Sequence, residues 1–469
     1  MEKVIVVGGG VAGSEVGTYL GQNTEKPLQI VTIENEPNRE FGGWAFQSFP
    51  PGVSTNLALR KMYLGRDPED IFRWSEELTK NGGLPEDFTF DPNKPVPRVL
   101  IQQYVKWRRE QVENALAHYT AVTGEAVKVT PTNEGVSVTL KSGETIDGDH
   151  LVMASGSISV KVLPFLEHLQ CHERVIIDPL TLEGHEKREK IGTNARVLIV
   201  GMGLTGEEQA QQLLNKGLTN LTLLSRNKFR HFVYGEEQAN KPLVLEGPPD
   251  FFRAETDEEF TAQHRAFFDG YVAQGHSPED IIAAIRPFWE QIRRKFMGGC
   301  ERAARRLDLL QRPMAIYSIG TSFEISEQLN AAEQSGQLRL AKGHIASIED
   351  RGEFFVVTLQ DGSQMECDHV INAVGRNIIR HPIWETLLEE GIALKHAGIG
   401  VQVNERGQML NAQRAPWSNI WVVGMARAGD HSLRHGYLGN TAFNVPQVRA
   451  HVYDTMDALL ESINTGFAR

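Results

Sequence analysis

Two glycine-rich runs carry the residue types that could do chemistry in this chain. Residues 4–20 read VIVVGGGVAGSEVGTYL, and residues 197–213 read VLIVGMGLTGEEQAQQL. At a constant offset Val4 matches Val197, Val7 matches Val200, Gly8 matches Gly201, Gly10 matches Gly203, Gly13 matches Gly206 and Glu15 matches Glu208. Each copy is an apolar β-branched run, then G-x-G-x-x-G, then a stretch of helical composition. The first glycine permits a tight turn out of a strand, and the second lets a pyrophosphate approach the backbone. The third lets the helix pack on the sheet with its N-terminal amides facing the phosphates. One such motif alone also fits a plain strand–helix turn. Two copies in the same context predict two Rossmann-like dinucleotide-binding domains.

The strand that follows each copy tells the two nucleotides apart. After the first, Leu28–Ile33 ends at Glu34, about 20 residues beyond the last glycine, where a carboxylate accepts the hydroxyls of a ribose with a free 2′ position. A solvated strand-end glutamate is the plainer alternative. After the second, Leu221–Leu224 ends in Ser225-Arg226-Asn227-Lys228, with Arg230 just beyond and no carboxylate. Hydroxyl and guanidinium donors suit a 2′-phosphate; a basic surface loop is the competing reading. The pattern points to FAD at the first site and NADPH at the second.

These motifs need a scaffold of strands, and the chain supplies it. Leu151–Ala154 leads into Ser155-Gly156, Val370–Val374 into Gly375-Arg376, and Ile420–Val423 into Gly424 to Asp430. Each is an apolar run ending in small residues, where a chain changes domain or approaches a cofactor closely. Asp430 either holds the ribityl hydroxyls of a flavin or caps the helix expected over Asn440–His451. His431, Arg434 and His435, just beyond, either bind an anionic substrate or move a proton, or lie on the surface. Val136–Leu140 with Thr145-Ile146 reads as a hairpin flanked by Ala126–Thr130, and Phe354–Leu359 with Asp361-Gly362-Ser363 repeats that pattern. Residues 231–312 differ, being rich in Glu, Gln, Ala and Arg with apolar residues at helical spacing at Ile281, Ile282, Ile285, Trp289 and Ile292. They predict a helical insertion whose basic runs, Arg293-Arg294-Lys295 and Arg302 to Arg306, form a solvated face.

Composition removes other classes. At 469 residues, and about 150 residues per domain, roughly three units are expected. A net charge of −12 argues against nucleic-acid or anionic-membrane partners, which need a basic surface. No apolar run approaches the roughly 18 residues of a bilayer span. Met1-Glu2-Lys3 runs directly into Val4 without a cleavable signal pattern, so a cytoplasmic protein is expected. The three cysteines, Cys171, Cys300 and Cys367, share no short spacing. A disulfide scaffold, a CxxC redox pair and a cysteine-rich zinc site are excluded, and no metal site is expected. A small-molecule partner is expected, and the composition is compatible with an oligomer.

The segment after Glu34 reads Phe41-Gly42-Gly43-Trp44-Ala45-Phe46-Gln47-Ser48-Phe49-Pro50-Pro51-Gly52-Val53-Ser54-Thr55-Asn56. In a two-nucleotide flavoprotein it would run past the isoalloxazine. It offers aromatic and amide side chains where a dithiol reductase needs a cysteine pair. Such a pocket can shield reduced flavin chemistry from water; a proline-glycine loop with core aromatics is the structural alternative. The two fingerprints, Glu34 and the GGW, FPPG and STN groups together resemble the class B flavin-dependent monooxygenases, whose members include the flavin-containing, Baeyer–Villiger and N-hydroxylating enzymes. Pro97-Arg98 before Gln103-Tyr104-Val105 is similar to a broader FAD/NAD(P)-binding family. The resemblance covers most of the chain outside residues 231–312. The Baeyer–Villiger F-x-G-x-x-x-H fingerprint is absent, so ketone-to-ester chemistry is not expected.

The resemblance implies an α/β protein with two Rossmann-like domains in a glutathione-reductase-like arrangement. Residues 1–160 and 346–469 would form the FAD-binding domain, and residues 161–345 the NADPH-binding domain with the helical insertion. Gly8, Gly10, Gly13, Glu34, Gly42, Gly43, Trp44 and Asp430 would contact FAD. Gly201, Gly203, Gly206, Ser225 and Arg226 would bind NADPH. Ala154-Ser155-Gly156 matches the family's interdomain turn. Asn56 would lie at the flavin and help hold a C4a-(hydro)peroxyflavin that oxygenates a nitrogen or sulfur of a small substrate, with O2 as co-substrate. Two readings stand beside this one: an NAD(P)H-dependent flavoprotein reductase or dehydrogenase without oxygen insertion, and a redox-signalling flavoprotein with the helical insertion as docking surface.

Overall fold

Parallel strands bury both faces and therefore read as unbroken apolar runs, and the two runs that precede the fingerprints, Val4–Val7 and Val197–Val200, are each the middle of such a sheet. The computed structural model describes residues 1–47, 53–84, 88–132, 135–156, 159–226, 243–276, 278–295, 321–396, 400–430 and 445–465. The chain divides into two units, one of Met1–Ile158, Gln238–Ser318 and Ile378–Arg469, the other of Ser159–Glu237 and Ile319–Asn377. The return to the first unit falls at Ile378 rather than at 346. The residues between form an antiparallel sheet and a parallel strand that pack in the second unit's core.

The first unit is built on six strands in the order Gln408–Leu410, Pro416–Val422, His150–Met153, Glu2–Val7, Leu28–Glu34 and Ala117–Thr123. All neighbours are parallel except the outermost pair, Gln408–Leu410 with Pro416–Val422. Helices Val11–Asn23, Arg98–Glu110 and Val445–Thr465 cover one face, sharing a core with Val4, Val6, Leu28 and Ile30. The opposite face, with Ile5, Val7 and Ile33, packs on a three-stranded antiparallel sheet of Ala126–Pro131, Val136–Leu140 and Thr145–Gly148.

The second unit repeats this plan on a smaller scale. Five parallel strands run in the order Leu338–Lys342, Leu221–Ser225, Val197–Val200, His369–Asn372 and Val175–Ile176. Helices Leu204–Asn215 and Phe323–Gln334 cover one face, and the antiparallel sheet Ile345–Asp350, Phe355–Leu359 and Gln364–Cys367 packs on the other. A two-stranded ribbon pairs Ser159–Val160 with Arg376–Asn377, where the chain enters and leaves this unit.

The described part of the expected helical insertion, 243–276 and 278–295, carries helices Asp257–Ala273, Pro278–Ile285 and Trp289–Lys295. It has its own aromatic core of Phe251, Phe252, Phe260, Phe268 and Trp289, with Ile281, Ile285 and Ile292 buried as their spacing predicts. These residues group with the first unit rather than with the nucleotide fold whose sequence they interrupt. Arg294 is exposed and pairs with Glu290 one turn back, as a solvated face would. Arg302 to Arg306 lie outside the described residues. No helix among the described residues is long and apolar enough to cross a membrane.

Candidate functional site

The first fingerprint folds as its glycines require. Gly8 leaves the Glu2–Val7 strand with φ +104° and donates its N–H to the Ile33 carbonyl at 2.8 Å. A Cβ at Gly8 would sit 2.6 Å from the Ala154 oxygen, and one at Gly13 would collide with the Gly8 carbonyl. Gly10 caps the Val11–Asn23 helix without a side chain, leaving the first-turn amides to an external acceptor. The Gly42-Gly43 pair lies against this turn. Phe41, with φ +67°, donates its N–H to the Gly9 carbonyl at 2.8 Å, and a Cβ on Gly10 would be 3.0 Å from Gly43 Cα. Trp44 follows in the short helix Gly43–Phe46, with the Arg39 guanidinium 3.1 Å above its ring.

Glu34 ends its strand beside that turn. Its Oε2 accepts the Gly9 N–H at 2.8 Å, and Oε1 accepts those of Asn35 at 3.0 Å and Glu36 at 3.3 Å. Burial raises its carboxyl above the ordinary range, opposed by these amides and by Arg39. A carboxylate has about four acceptor positions. The three amides use three of them, which leaves Oε2 able to take one more donor.

The three residues before Asn56 are held by hydrogen bonds that local periodicity does not announce. Thr55 donates its N–H to the Val96 carbonyl at 2.8 Å, and Val96 returns its own to Thr55 Oγ1 at 3.1 Å. Ser54 bridges to Pro97, Arg98 N donates to the Val53 carbonyl at 2.9 Å, and Arg98 Nε donates to the Ser54 carbonyl at 3.0 Å. One turn on, Gln102 Nε2 donates to the carbonyls of Asn38 at 3.0 Å and Glu40 at 2.8 Å. One helix, Arg98–Glu110, thus fixes both the turn before Gly42 and the loop bearing Asn56. Asn56 Oδ1 is buried and has no hydrogen-bond partner among the described residues. Leaving a buried amide oxygen unsatisfied costs about 1–3 kcal/mol, which a donor from a bound group would recover. Residues 48–52, with the FPPG group, lie outside the described residues.

The same helix is anchored by a buried ionic cluster that sequence reasoning missed. Arg108 donates to Glu15 Oε1 at 2.7 Å and Oε2 at 3.1 Å, and pairs also with Asp70. Tyr104 donates to Asp70 Oδ1 at 2.6 Å and accepts the Leu64 N–H at 3.0 Å. Glu15, on the fingerprint helix, is fully buried. Burial drives its carboxyl upward, and the Arg108 guanidinium pulls it back. The one available signal was a glutamate at the same place in both repeats.

Asp430 is buried in the turn after the Pro416–Val422 strand, its Oδ2 3.6 Å from Arg427 Nε. Gly424, with φ +72°, brings that turn against the fingerprint helix, where a Cβ would be 3.4 Å from Ala12 Cβ. Beside it, burial depresses the His396 imidazole while Asp430 opposes the shift. His431, Arg434, His435 and the start of the helix expected over Asn440–His451 lie outside the described residues; the helix is described as Val445–Thr465.

In the second unit Gly201 has φ +114° and donates to the Leu224 carbonyl at 2.8 Å, and Gly203 caps helix Leu204–Asn215. Side chains at Gly201 and Gly206 would meet the carbonyls of Ala373 and Gly201, whereas a Cβ at Gly203 meets nothing within 4 Å. Ser225 ends the strand and Arg226 follows, exposed; Asn227, Lys228 and Arg230 lie outside the described residues. The interdomain turn is pinned by Trp384 Nε1 donating to Ser155 Oγ at 2.9 Å. Cys171 is exposed and Cys367 is buried, its thiol pushed up to about 12; neither is bridged. Among the described residues no cluster of His, Cys, Asp and Glu could hold a metal.

Residues 5–158 match the family model for FAD-NAD(P)-binding domains. No curated protein matches the sequence. Among solved structures, the reduced form of ornithine hydroxylase (PvdA) from Pseudomonas aeruginosa is similar over 99% of this chain and 100% of that one, with 15% identity and a TM-score of 0.61. L-lysine 6-monooxygenase from Pseudomonas syringae covers the same shares at 14% identity and a TM-score of 0.59. Bacillithiol disulfide reductase Bdr (YpdA) from Staphylococcus aureus matches over 98% of this chain and 99% of that one, at 13% identity and a TM-score of 0.53. The chain has the fold of the flavoproteins with two dinucleotide-binding domains.

Proposed function

We propose that this protein is an NADPH-dependent FAD monooxygenase acting on a nitrogen or sulfur of a small substrate. The observation that carries the reading is Asn56, a buried amide oxygen with no partner among the described residues, in the unit that matches the FAD-NAD(P)-binding family. The likeness of fold to an ornithine hydroxylase and a lysine monooxygenase supports it and favours an amine nitrogen.

The residues present fit FAD in the first unit. Gly8, Gly10 and Gly13 with the amides of the Val11–Asn23 helix would hold the pyrophosphate. Glu34 Oε2 would take a ribose hydroxyl, Gly42, Gly43 and Trp44 would line the cofactor, and Asp430 would accept a ribityl hydroxyl. Gly201, Gly203 and Gly206 would hold the pyrophosphate of NADPH, with Ser225 and Arg226 on its 2′-phosphate. When bound, FAD supplies hydride acceptance and oxygen activation. Asn56 offers its buried Oδ1 to a donor, and no protein base is needed because the cofactor carries the chemistry.

The test is the coupling of NADPH oxidation to oxygenated product with amines and thioethers. Asn56→Ala should keep oxidising NADPH while hydrogen peroxide replaces product. A variant as well coupled as the wild type would remove Asn56 from the mechanism. The second reading, a flavoprotein reductase without oxygen insertion, draws on the likeness to the disulfide reductase, and predicts that Asn56→Ala leaves turnover of another acceptor unchanged.

A further inference from the structure

In each nucleotide fold, the strand that carries the ribose-recognising residue has an outer parallel neighbour that ends level with it. In the first unit Glu34 stands in register with Thr123, and Gly124 N donates to the Glu34 carbonyl at 2.9 Å. In the second unit Ser225 stands in register with Lys342, and Gly343 N donates to the Ser225 carbonyl at 3.0 Å. The backbone arrangement is the same and the charge is inverted, from an acid beside a neutral hydroxyl to a hydroxyl beside a cation.

Side chains in a strand alternate faces, and register partners in a parallel pair share a face. Leu221, Leu223, Leu338 and Leu340 all pack in the core beneath helices Leu204–Asn215 and Phe323–Gln334. Continuing that alternation, Ser225 and Lys342 belong to the same face at the carboxyl ends of their strands, the edge where doubly wound sheets bind ligands. Lys342 is exposed, as is Arg226. Among the described residues neither side chain has a hydrogen bond or ion pair, in a chain whose net charge is −12. Two cations beside a hydroxyl, neither paired with a carboxylate among the described residues, form a receptor for a dianion.

We infer that Lys342 is a specificity residue of the second site, donating from Nζ to the 2′-phosphate of NADPH together with Ser225 and Arg226. This rests on the assignment of NADPH to the second unit. Sequence reading passed over it because Lys342 lies far along the chain from the fingerprint, and only the strand order brings it beside Ser225.

The experiment is calorimetric binding of 2′,5′-ADP and of ADP to the flavin-loaded enzyme, alongside KM for NADPH. Lys342→Ala should weaken 2′,5′-ADP about tenfold, the size of one charge-assisted hydrogen bond, and leave ADP unchanged. Lys342→Arg should keep most of the affinity, and KM for NADPH should rise with Lys342→Ala. If Lys342→Ala binds both nucleotides as the wild type does, or weakens both equally, the inference is overturned. The underlying assignment fails separately, in a wild-type enzyme that does not distinguish 2′,5′-ADP from ADP. Arg226→Ala losing that distinction while Lys342→Ala keeps it would sink Lys342 alone.

Discussion

At both fingerprints the first glycine turns with positive φ, +104° at Gly8 and +114° at Gly201, and donates to the last carbonyl but one of the next strand. In both, the third glycine lies where a side chain would strike the first glycine's carbonyl. The units differ around this shared turn. Gly10 is closed over by Gly43, but space at Gly203 is open. A strand later, Glu34 takes three backbone amides, whereas Ser225 is followed by an exposed Arg226 with no partner among the described residues. A sealed turn with an acid fits a resident cofactor with a free ribose hydroxyl. An open turn with basic residues fits a nucleotide that enters and leaves carrying a 2′-phosphate.

The largest effect expected of this contrast comes from the third glycines. Gly13→Val should purify without flavin, read as the ratio of visible to ultraviolet absorbance. Gly206→Val should keep its flavin and lose reduction by NADPH. Both variants losing flavin alike would break the division of labour. Gly10→Ala should likewise cost flavin, while Gly203→Ala should fold and keep its flavin, because no protein atom stands within 4 Å of the added carbon, and weaken only NADPH, whose pyrophosphate must approach that backbone.

Next in size is the ionic cluster behind the first fingerprint. Arg108→Met strands Glu15, fully buried, and should cost about 3–5 kcal/mol in urea unfolding. Pairing it with Glu15→Leu should recover much of that loss. A loss no larger in the single variant than in the pair would show that Arg108 does not hold the helix through Glu15.

The helical segment has a pH dependence of its own. His264 is buried among Phe251, Phe260 and Phe268, and its pKa is lowered to about 3 by desolvation. The unfolded chain takes up a proton near the ordinary value of about 6.5 and the folded one does not. Stability should therefore fall as pH drops below about 6.5, by up to about 1.4 kcal/mol per unit. Melting temperatures at pH 7.5, 6 and 5 should decline more steeply for the wild type than for His264→Phe; parallel declines would contradict the assignment. The smallest effect is Glu34→Ala, about tenfold in FAD affinity, the low end of the roughly 1.5–3 kcal/mol of one hydrogen bond to a charged group. NADPH affinity should be untouched.

What was legible in the sequence was what is written locally. The fingerprints, the acid at Glu34, the two hairpins and the helical spacing of Ile281 to Ile292 all depend on residues within a turn or strand of each other. What escaped depends on pairing across the chain. Gln102 reaches back to Glu40 and Arg98 to Ser54, and no local period encodes either contact. Arg108 meets Glu15 only once two helices pack. The grouping of the described residues between 243 and 295 with the first unit was equally hidden, because sequence position put them inside the second. Tyr104, marked by its motif, proves to tie Asp70 to the Leu64 backbone.

With NADPH as the two-electron donor, one atom of O2 should enter a small substrate and the other leave as water. The most direct measurement is turnover under 18O2 with amine and thioether substrates, with NADPH, product and hydrogen peroxide counted together. The account predicts one labelled oxygen atom in product for each NADPH oxidised, with little peroxide. Unlabelled product, or NADPH consumed with all of the oxygen recovered as peroxide, would contradict it.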